Sequence, residues 1–408
     1  MNGPDLVALG HASMAKSHQL ILLGGGLGVL SIVAGFVSRR VGAPVLLVFL
    51  ALGMLAGEDG VLGIPYEDFG SAYLIGSVAL AVILFEGGLK TPFAMFRLAF
   101  WPAAVLATIG VGLTAVILGL VISAVEGVPL LGALLAGAAA APTDAAAVAA
   151  LLRRAGAKLP DRLFALLAVE SGLNDPMSVF LTFLVLHLIA EPGTIGGAAA
   201  VLMFVKEMAG GAALGLAGGW AITQALERMA LEAALAPVLV LTGSLALFGL
   251  AQLAGTSGFL AIYLAAVITG AAAHRAREDV THFFEGMAWL AQIVLFVMLG
   301  LLVTPHKLPP YLPGAIIGAA VLIFFARPAA VFACLLPFRF GLRETAFASW
   351  VGLRGAVPIY LGFIPALADP RRDESLFASV FILVIASLVV QGWTIGSAAR
   401  LLGFGRRG

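Results

Sequence analysis

The segment ESGLNDPMSVFLT, residues 170–182, concentrates carboxylate, amide and hydroxyl groups inside an otherwise apolar run. Residues three or four apart on a helix share a face, so these groups would form two adjacent polar stripes. The first stripe consists of Ser171, Asp175, Ser178 and Thr182, and the second of Glu170 and Asn174. A hard monovalent cation prefers several oxygen ligands with one neutralising carboxylate. Asp175 and Ser171 are therefore candidate ligands of an alkali cation.

A second polar segment, PTDAAAV at residues 142–148, could complete that ligand set with Thr143 and Asp144. A proline inside a helix leaves free the carbonyl oxygen four residues earlier. The prolines concerned are Pro142, Pro176 and Pro358, and the carbonyls belong to Ala138, Gly172 and Arg354. Broken helices at mid-membrane depth are tolerated where they line a cavity, and transporters use them for ion sites. The sequence predicts such breaks near residues 142 and 358.

A carboxylate in the middle of a membrane is costly when it is bare, so it carries either a proton or a bound cation. Proton and cation then compete for one site, which makes Asp175 a predicted exchange site. The six histidines fall in loops or at the ends of apolar runs, which argues against a zinc or copper site. We expect no cofactor.

The elements that must position these groups are membrane helices. Hydrophobic residues form 61% of the 408 residues and charged residues 11%, which is more apolar surface than one globular core can bury. Apolar runs of about 20 residues recur, each long enough to cross a hydrocarbon core of about 30 Å. The sequence predicts an all-α polytopic membrane protein without a cleaved signal peptide. The net charge of +1 gives no indication of nucleic-acid binding.

Glycines, prolines and charge clusters divide the chain into about thirteen predicted transmembrane helices. The spans are placed at 20–37, 42–56, 70–88, 97–124, 130–152, 162–190, 196–226, 232–253, 257–273, 284–303, 311–337, 343–366 and 374–399. With the N-terminus outside, most Lys and Arg residues fall in the inner loops and the C-terminus, as the positive-inside bias requires. We therefore expect an integral protein of the plasma membrane, in bacteria the inner membrane, with a cytoplasmic C-terminus.

Polar residues lie at the midpoints of four spans, and each bare charge there would cost roughly 2.5 to 3.5 kcal/mol. They are Thr143 and Asp144 in the fifth span, Asp175 in the sixth, Arg327 in the eleventh and Arg354 in the twelfth. We expect them to face one another or water. A guanidinium stays protonated, so Arg327 or Arg354 is predicted to pair with Glu170.

The two broken spans, the fifth and the twelfth, are seven apart and so run in opposite directions. That spacing predicts two inverted six-helix repeats joined by a linker helix, with helices 5 and 12 crossing near the midplane. Residues 1–19 are predicted to be a short extracytoplasmic N-terminus. Residues 20–96 and 196–303 (helices 1–3 and 7–10) are the predicted scaffold and dimerisation domain. Residues 97–195 and 311–408 (helices 4–6 and 11–13) are the predicted ion-transporting core domain.

Three segments resemble the marker segments of the NhaP-type monovalent cation:proton antiporters, within the sodium/proton exchanger superfamily. They are PTDAAAV at 142–148, ESGLNDPMSVFLT at 170–182 and SWVGLRGAVPIYLG at 349–362. The resemblance spans essentially the whole chain and is closest to the potassium/proton branch. It implies exchange of K⁺, or alternatively Na⁺, for H⁺ by a homodimer with an elevator-like motion. Members of that branch often continue into a cytosolic regulatory domain, whereas this sequence ends at Gly408.

The resemblance also implies roles for particular residues. Asp175 would be the carboxylate that binds cation and proton, with Asn174 beside it. The remaining matches are Thr143 and Asp144 at the helix crossing, Glu170 and Ser171 as the family's Glu-Ser pair, a Glu170 to Arg327 salt bridge, and Arg354 offsetting charge and dipoles at the second break. Electrogenic relatives carry two adjacent aspartates. Asn174 next to Asp175 therefore implies electroneutral, one-for-one exchange.

Two functions from other classes fit the sequence less well than antiport. A passive cation channel needs a continuous pore with a filter of carbonyls or charge rings, and the sequence has no segment resembling TVGYG. An intramembrane hydrolase would use Ser171, or Asp144 with Asp175, but no histidine lies near Ser171 in the sequence. We therefore expect a transporter rather than an enzyme. Glu86 and Lys90, four residues apart at a span end, are predicted to form an ion pair.

Overall fold

The computed structural model describes residues 18, 21–38, 44–229, 231–272, 276–368 and 374–405. Over those residues the chain is helical and forms no β strand, with one isolated bridge between Gly57 and Ile64. The helices of the first half are α1 (Ile21–Ser38), α2 (Val45–Ala56), α3 (Phe69–Leu89), α4 (Phe93–Val105), α5 (Val111–Glu126), α6 (Leu130–Ala140), α7 (Ala145–Arg154) and α8 (Asp161–Ala190). The helices of the second half are α9 (Gly197–Arg228), α10 (Leu235–Leu253), α11 (Gly258–Ala271), α12 (Arg277–Leu301), α13 (Leu312–Val321), α14 (Arg327–Leu335), α15 (Leu342–Trp350), α16 (Ala356–Ala368) and α17 (Glu374–Leu401). The predicted all-α fold class is confirmed.

Nine helical segments of the described chain are long and apolar enough to cross a membrane, and the bent pair α6 and α7 makes ten. Three shorter apolar helices, α2, α11 and α16, lie where the second, ninth and twelfth spans were predicted. The count of thirteen stays a prediction, because a short helix of this kind can also end inside the bilayer. The predicted N-terminal segment 1–19 lies outside the described residues apart from residue 18.

The fifth predicted span is broken, as expected, between α6 and α7. The two helices meet at 45° across residues 141–144, and Pro142 lies inside the break itself. Asp144 then starts α7, because its side-chain Oδ1 accepts a hydrogen bond from the Ala147 amide over 2.9 Å. This is the usual way in which an aspartate satisfies a free N–H at a helix start.

The twelfth predicted span is also broken, but Pro358 is not the cause. The helical conformation stops after Trp350 and resumes at Ala356, so Pro358 lies in the first turn of α16. The N–H groups of a first turn have no partner within the helix, so proline is tolerated there and frees no carbonyl. Pro176 does lie inside a helix, because α8 continues through it from Asp161 to Ala190, and the free carbonyl of Gly172 stays a prediction. The two breaks meet where the Asp144 amide donates to the Leu353 carbonyl over 2.8 Å.

Two π-helical turns interrupt the fourth and eleventh predicted spans. Leu106–Gly110 joins α4 to α5, and Leu322–Ala326 joins α13 to α14. The first turn follows Pro102 of α4, and the second precedes Pro328 of α14. Each proline lacks the backbone N–H that would donate a hydrogen bond within the helix. Arg327 is the first residue after the second π turn, so that turn sets the direction of its side chain.

The helices pack in two groups. In one, α11 lies against α9 and α3, and α12 lies against α2 and α3. In the other, α8 packs on α4 and α6, while α13 and α16 pack on α17. Contacts between the groups include those of α11 with α8 and of α16 with α3. The assignment of the first group as scaffold and the second as core domain stays a prediction.

Candidate ion-binding site

Asp175 lies at the middle of α8 and lines a cavity of about 220 Å³, here called the inner cavity. Its side chain is buried, with 8% of its surface exposed. Thr143, Asp144 and Ser171 line the same cavity. The structure therefore brings together the four residues that the sequence predicted as ligands of an alkali cation, and all four present oxygen atoms.

Ser171 and Asn174 hold the break between α6 and α7 against α8. The Ser171 hydroxyl donates to the Thr143 carbonyl over 2.8 Å and accepts from the Ala145 amide over 3.1 Å. The Asn174 amide donates to the Thr143 hydroxyl over 2.8 Å. These bonds replace those that the broken helix lacks, as buried backbone groups require. The Asn174 Oδ1 atom is buried and has no hydrogen-bond partner in the described part of the chain.

Asp144 contributes a second carboxylate to the inner cavity, but part of it is already engaged. Its Oδ1 caps α7 through the Ala147 amide. Its Oδ2 lies so close to Gly355 that a Cβ atom at that position would be 2.6 Å away. The backbone of the second break therefore needs a glycine at position 355, where it lies against the Asp144 side chain. Of the two carboxylates in the inner cavity, Asp144 caps a helix. Among the described contacts, Asp175 makes no such hydrogen bond.

Glu170 does not face the inner cavity. Its two carboxylate oxygens accept a fork of hydrogen bonds from Arg327, over 2.5 Å to Oε1 and 2.9 Å to Oε2. Both side chains are almost fully buried, with 1% of Glu170 and 3% of Arg327 exposed. The sequence placed Glu170 both among the cation ligands and in an ion pair, and this geometry favours the ion pair. Ser178 and Thr182 are buried but are not among the residues lining the inner cavity, so the polar stripe ends at Asp175.

Arg354 lies in the second break and reaches the first. Its guanidinium donates to the carbonyl oxygens of Ala141 and Pro142, both in the break of the fifth span. Its backbone amide donates to the Ser387 hydroxyl over 3.1 Å. Arg354 is 1% exposed, and its Nε and Nη2 atoms have no hydrogen-bond partner among the described residues. A fixed positive charge therefore lies directly behind the cavity wall that carries Thr143 and Asp144.

The inner cavity extends from Asp175 to the end of the molecule where α3 and α7 end and α8 begins. Lys90, Arg153 and Phe164 line it there, and this group is here called the inner mouth. Lys90 and Arg153 were predicted to face the cytoplasm, and Phe164 lies at the start of the sixth predicted span. Lys90 forms the predicted ion pair with Glu86, with an Nζ to Oε1 distance of 2.5 Å. It also contacts Glu285 of α12 over 2.9 Å, a partner that could not be predicted from the sequence.

Beyond Asp175 along α8, apolar side chains pack together, and none of them lines the inner cavity. Met177 and Phe180 of α8 are buried against Phe204 and Met208 of α9. The rings of Phe180 and Phe204 meet edge to face with centroids 5.3 Å apart. The inner cavity therefore joins Asp175 to the inner mouth, and no residue of α8 beyond Asp175 lines it.

Sequence reasoning missed Tyr263 of α11 and Gln292 of α12, which also line the inner cavity. Both lie on helices without a motif, and Tyr263 stands in a continuous apolar run. Their position depends on how distant helices pack, which periodicity within one helix does not reveal.

A family model described as sodium/hydrogen exchanger, transmembrane, matches residues 28–401. The chain is 43% identical over 387 residues to the K(+)/H(+) antiporter NhaP2 of Shewanella oneidensis, covering 94% of this chain and 67% of that protein. It is 42% identical over 389 residues to the K(+)/H(+) antiporter NhaP of Alkalimonas amylolytica, covering 95% of this chain and 68% of that protein. It is 29% identical over 349 residues to the Na(+)/H(+) antiporter NhaP of Pseudomonas aeruginosa, covering 79% of each.

Among solved structures, the sodium proton antiporter MjNhaP1 from Methanocaldococcus jannaschii at pH 8 superposes with a TM-score of 0.82. The superposition covers 95% of this chain and 100% of that one, at 22% sequence identity. At that identity the likeness shows the fold.

Proposed function

Because the chain belongs to the sodium/hydrogen exchanger family, whose members are transporters rather than enzymes, we propose that it exchanges K⁺ for H⁺ across the membrane. The resemblance read from its three marker segments is confirmed by the family match over residues 28–401. The apolar helices make it an integral membrane protein, for which we propose the bacterial inner membrane with the C-terminus in the cytoplasm.

The observation that carries the proposal is a carboxylate at the end of a one-sided cavity. Asp175 is buried in the middle of α8 and lines the inner cavity with Thr143, Asp144 and Ser171. A bare carboxylate is unfavourable at that depth, so Asp175 is occupied either by a proton or by a cation. Each occupant must leave before the other binds, and this competition couples the two fluxes.

The proposed alkali-cation site consists of oxygen atoms from Asp175, Asp144, Ser171 and Thr143. Asn174 fixes Thr143 through its amide and leaves its own oxygen on the buried side. Glu170 and Arg327 neutralise each other's charge within the core domain. The positive charge of Arg354 offsets the carbonyl dipoles where the two broken helices cross. One titrating aspartate next to an asparagine supports electroneutral exchange of one cation for one proton.

The proposed cycle alternates access between two sides. We propose that the described conformation is the one open at the inner mouth, and that the apolar contact of Met177 and Phe180 with Phe204 and Met208 is the barrier on the other side. Movement of the core domain against the scaffold, as in an elevator, would open that contact and close the inner mouth. A passive channel would need both sides open at once. We further propose that the scaffold forms a homodimer in the lipid bilayer.

K⁺ is favoured because the two relatives that share 42% and 43% of their residues with this chain carry K(+)/H(+) in their names. Na⁺ is the alternative, since the relative at 29% identity is named a Na(+)/H(+) antiporter. The donor set of hydroxyl, carbonyl and carboxylate oxygens suits either alkali ion.

The test is transport by the purified protein in proteoliposomes that contain a pH-sensitive dye. Outward and inward gradients of K⁺, Na⁺ and Li⁺ are applied in turn, with the membrane potential either free or clamped at zero. We expect K⁺-driven proton movement that saturates, reverses with the gradient and is unchanged by the clamp. Current without proton coupling would instead identify a channel, and a rate that changes with the clamp would contradict electroneutral exchange.

A further inference from the structure

The aromatic ring of Tyr263 on α11 lies directly on Gly172 of α8. The contact is so close that a Cβ atom at Gly172 would overlap the ring, since even the more distant ring atom Cδ2 would be 2.7 Å away. Gly172 follows Ser171 and precedes Asp175 by three residues, so the ring touches α8 beside the proposed ion site. Tyr263 and Gly172 both line the inner cavity.

The helix that carries Tyr263 is fixed tightly to other helices of the predicted scaffold. Three glycines of α9 allow the backbone of α11 to approach so closely that a Cβ atom would overlap it. These glycines are Gly211, Gly215 and Gly219, and they face Ser257, which caps the start of α11, and Ala261 and Ala265 within α11. On its other side α11 meets α3, where a Cβ atom at Gly88 would be 2.8 Å from the Tyr263 carbonyl oxygen. Tyr263 therefore belongs to the rigid group that does not carry Asp175.

The contact between Tyr263 and α8 has no polar anchor. The Tyr263 side chain is 1% exposed, and the polar group beside its hydroxyl is Thr91, which follows α3 in the predicted scaffold and does not belong to α8. The ring is held on Gly172 by van der Waals contact alone. Such a contact can be left and formed again at another place on α8 without the loss of a hydrogen bond.

The surface of α8 next to Gly172 offers one equivalent place. Residues four apart on a helix lie above one another, so Ala168 occupies the position one turn towards the inner mouth. Ala168 lines the inner cavity and has the smallest side chain that carries a Cβ atom. One turn further, Phe164 stands at the inner mouth. Along this face α8 presents Gly172, Ala168 and Phe164, in order of increasing size.

We propose that Tyr263 is a positioning residue that defines two registers of α8 against α11, one helical turn apart. In the conformation described, its ring rests on Gly172 and the inner cavity is open. In the second register it rests on Ala168, after α8 has moved by about 5.4 Å towards its own C-terminal end. That movement carries Asp175 away from the inner mouth and brings Phe164 to the level that Ala168 now occupies, where it fills the inner cavity. The inference rests on the proposed exchange function and specifies its conformational step.

The test uses one substitution for each register. Ala168→Val adds bulk where the ring would rest in the second register and leaves the first free. Gly172→Ala adds bulk under the ring in the first register. The matched control is Ala190→Val, at the exposed end of the same helix. Turnover and the cation concentration for half-maximal rate are measured in proteoliposomes. Cation binding is measured separately, as the rise in melting temperature with K⁺.

Conformation is followed through a cysteine placed in the wall of the inner cavity. The variant Ile83→Cys is built on Cys334→Ser, which removes a cysteine buried in α14. A membrane-impermeant maleimide is then added on the side of the inner mouth. We expect Ala168→Val to label faster than its parent and to lose turnover by roughly tenfold or more, because overpacking excludes the second register. We expect Gly172→Ala to label more slowly.

These opposite changes in labelling separate the proposal from a simple packing defect, which would change both variants in the same direction. Wild-type turnover in Ala168→Val, or the same direction of labelling in both variants, would overturn the two-register proposal. Where Gly172→Ala does not fold, Ala168→Val alone decides. K⁺ stabilisation retained by Ala168→Val shows that the ion site is intact. The failure of this inference is then distinct from a failure of the exchange function, which would remove K⁺ stabilisation from the wild-type protein.

Discussion

The guanidinium of Arg354 donates a hydrogen bond to the carbonyl oxygen of Pro142 over 2.9 Å. Arg354 belongs to the break in the twelfth predicted span and Pro142 to the break in the fifth. Each break therefore supplies a hydrogen-bond partner to the other, since the Asp144 amide also donates to the Leu353 carbonyl. The negative end of α6 is thereby covered by a fixed positive charge. The cation site in front of this wall consequently does not have to neutralise the carbonyls behind it.

Replacing Arg354 is expected to destabilise the crossing of the two breaks. Arg354→Ala leaves the carbonyls of Ala141 and Pro142 buried without a donor, at a cost of about 1–3 kcal/mol each. Arg354→Lys keeps the charge but loses the planar fork, so its loss of stability should be intermediate. Thermal unfolding in detergent measures both, with Arg400→Ala on the exposed side of α17 as the control. Equal melting temperatures for wild type and Arg354→Ala would show that the cap is dispensable.

Asp175→Asn is expected to abolish exchange while the protein stays folded. An amide resembles the protonated carboxyl in shape but cannot release a proton, so it cannot trade a proton for a cation. Transport in proteoliposomes and the elution profile in detergent check the two halves of this prediction. Asp161→Asn, at the exposed start of the same helix, should transport normally. Normal exchange by Asp175→Asn would refute the proposed site.

Removing one partner of the buried ion pair is expected to cost more than removing both. Glu170→Gln or Arg327→Met leaves a buried charge alone, which typically costs about 3–5 kcal/mol. The double variant Glu170→Gln with Arg327→Met leaves no orphaned charge and should unfold closer to wild type. The measurement is the free energy of unfolding for all three variants. Additive losses in the double variant would mean that the two side chains do not depend on each other.

Asp59 and His306 form a contact between the loop after α2 and the turn before α13. The His306 backbone amide donates to Asp59 Oδ2 over 2.8 Å, and the ring Nδ1 lies 2.8 Å from both oxygens of the carboxylate. These hydrogen bonds, the backbone one first, lower the pKa of Asp59 below its usual 3.8. Glu58 and Lys307 are the neighbouring charged groups on the two segments.

A carboxyl with a lower pKa in the folded protein contributes stability above its unfolded pKa and loses it as the pH falls through the folded value. The wild-type melting temperature should therefore decline more steeply at the acid end than that of Asp59→Asn. The effect should be small, because Asp59 is exposed to solvent and screened. Glu67→Gln, in the same loop, is the matched control. If the melting temperatures of wild type and Asp59→Asn fell equally as the pH is lowered, the stabilising role of Asp59 would be contradicted.

Much of the site could be predicted because charges inside apolar runs have few acceptable partners. Glu170 and Arg327 are 157 residues apart in sequence, yet their meeting follows from the cost of burying either alone. The break at Thr143 and Asp144 could be predicted from Pro142, although the proline lies in the break rather than in a helix. The break at residues 351–355 was placed correctly for a wrong reason, since Pro358 opens α16 instead of interrupting it.

The residues that could not be predicted are those whose role depends on packing between distant helices. Ser178 and Thr182 share a helical face with Asp175 in the ideal pattern, but the cavity ends before them. Tyr263 stands in an apolar run that contains no motif, and its contact with Gly172 arises from the close approach of α11 to α8. Glu285 contacts Lys90 from α12, and no pattern in the sequence predicts that α12 lies beside Lys90.

The two π turns, Leu106–Gly110 and Leu322–Ala326, lie at corresponding positions of the two predicted repeats. A π turn is what an α-helix becomes when it accommodates one inserted residue. Both insertions stand in the fourth span of their predicted repeat, one in each orientation. An insertion already present in an ancestral half-length protein would be copied into both halves when its gene was duplicated, whereas two later insertions would have to coincide. If the two predicted repeats arose by duplication, the extra residue is older than that event, and deleting one residue from either turn would restore a regular α-helix there while the other turn keeps its extra residue.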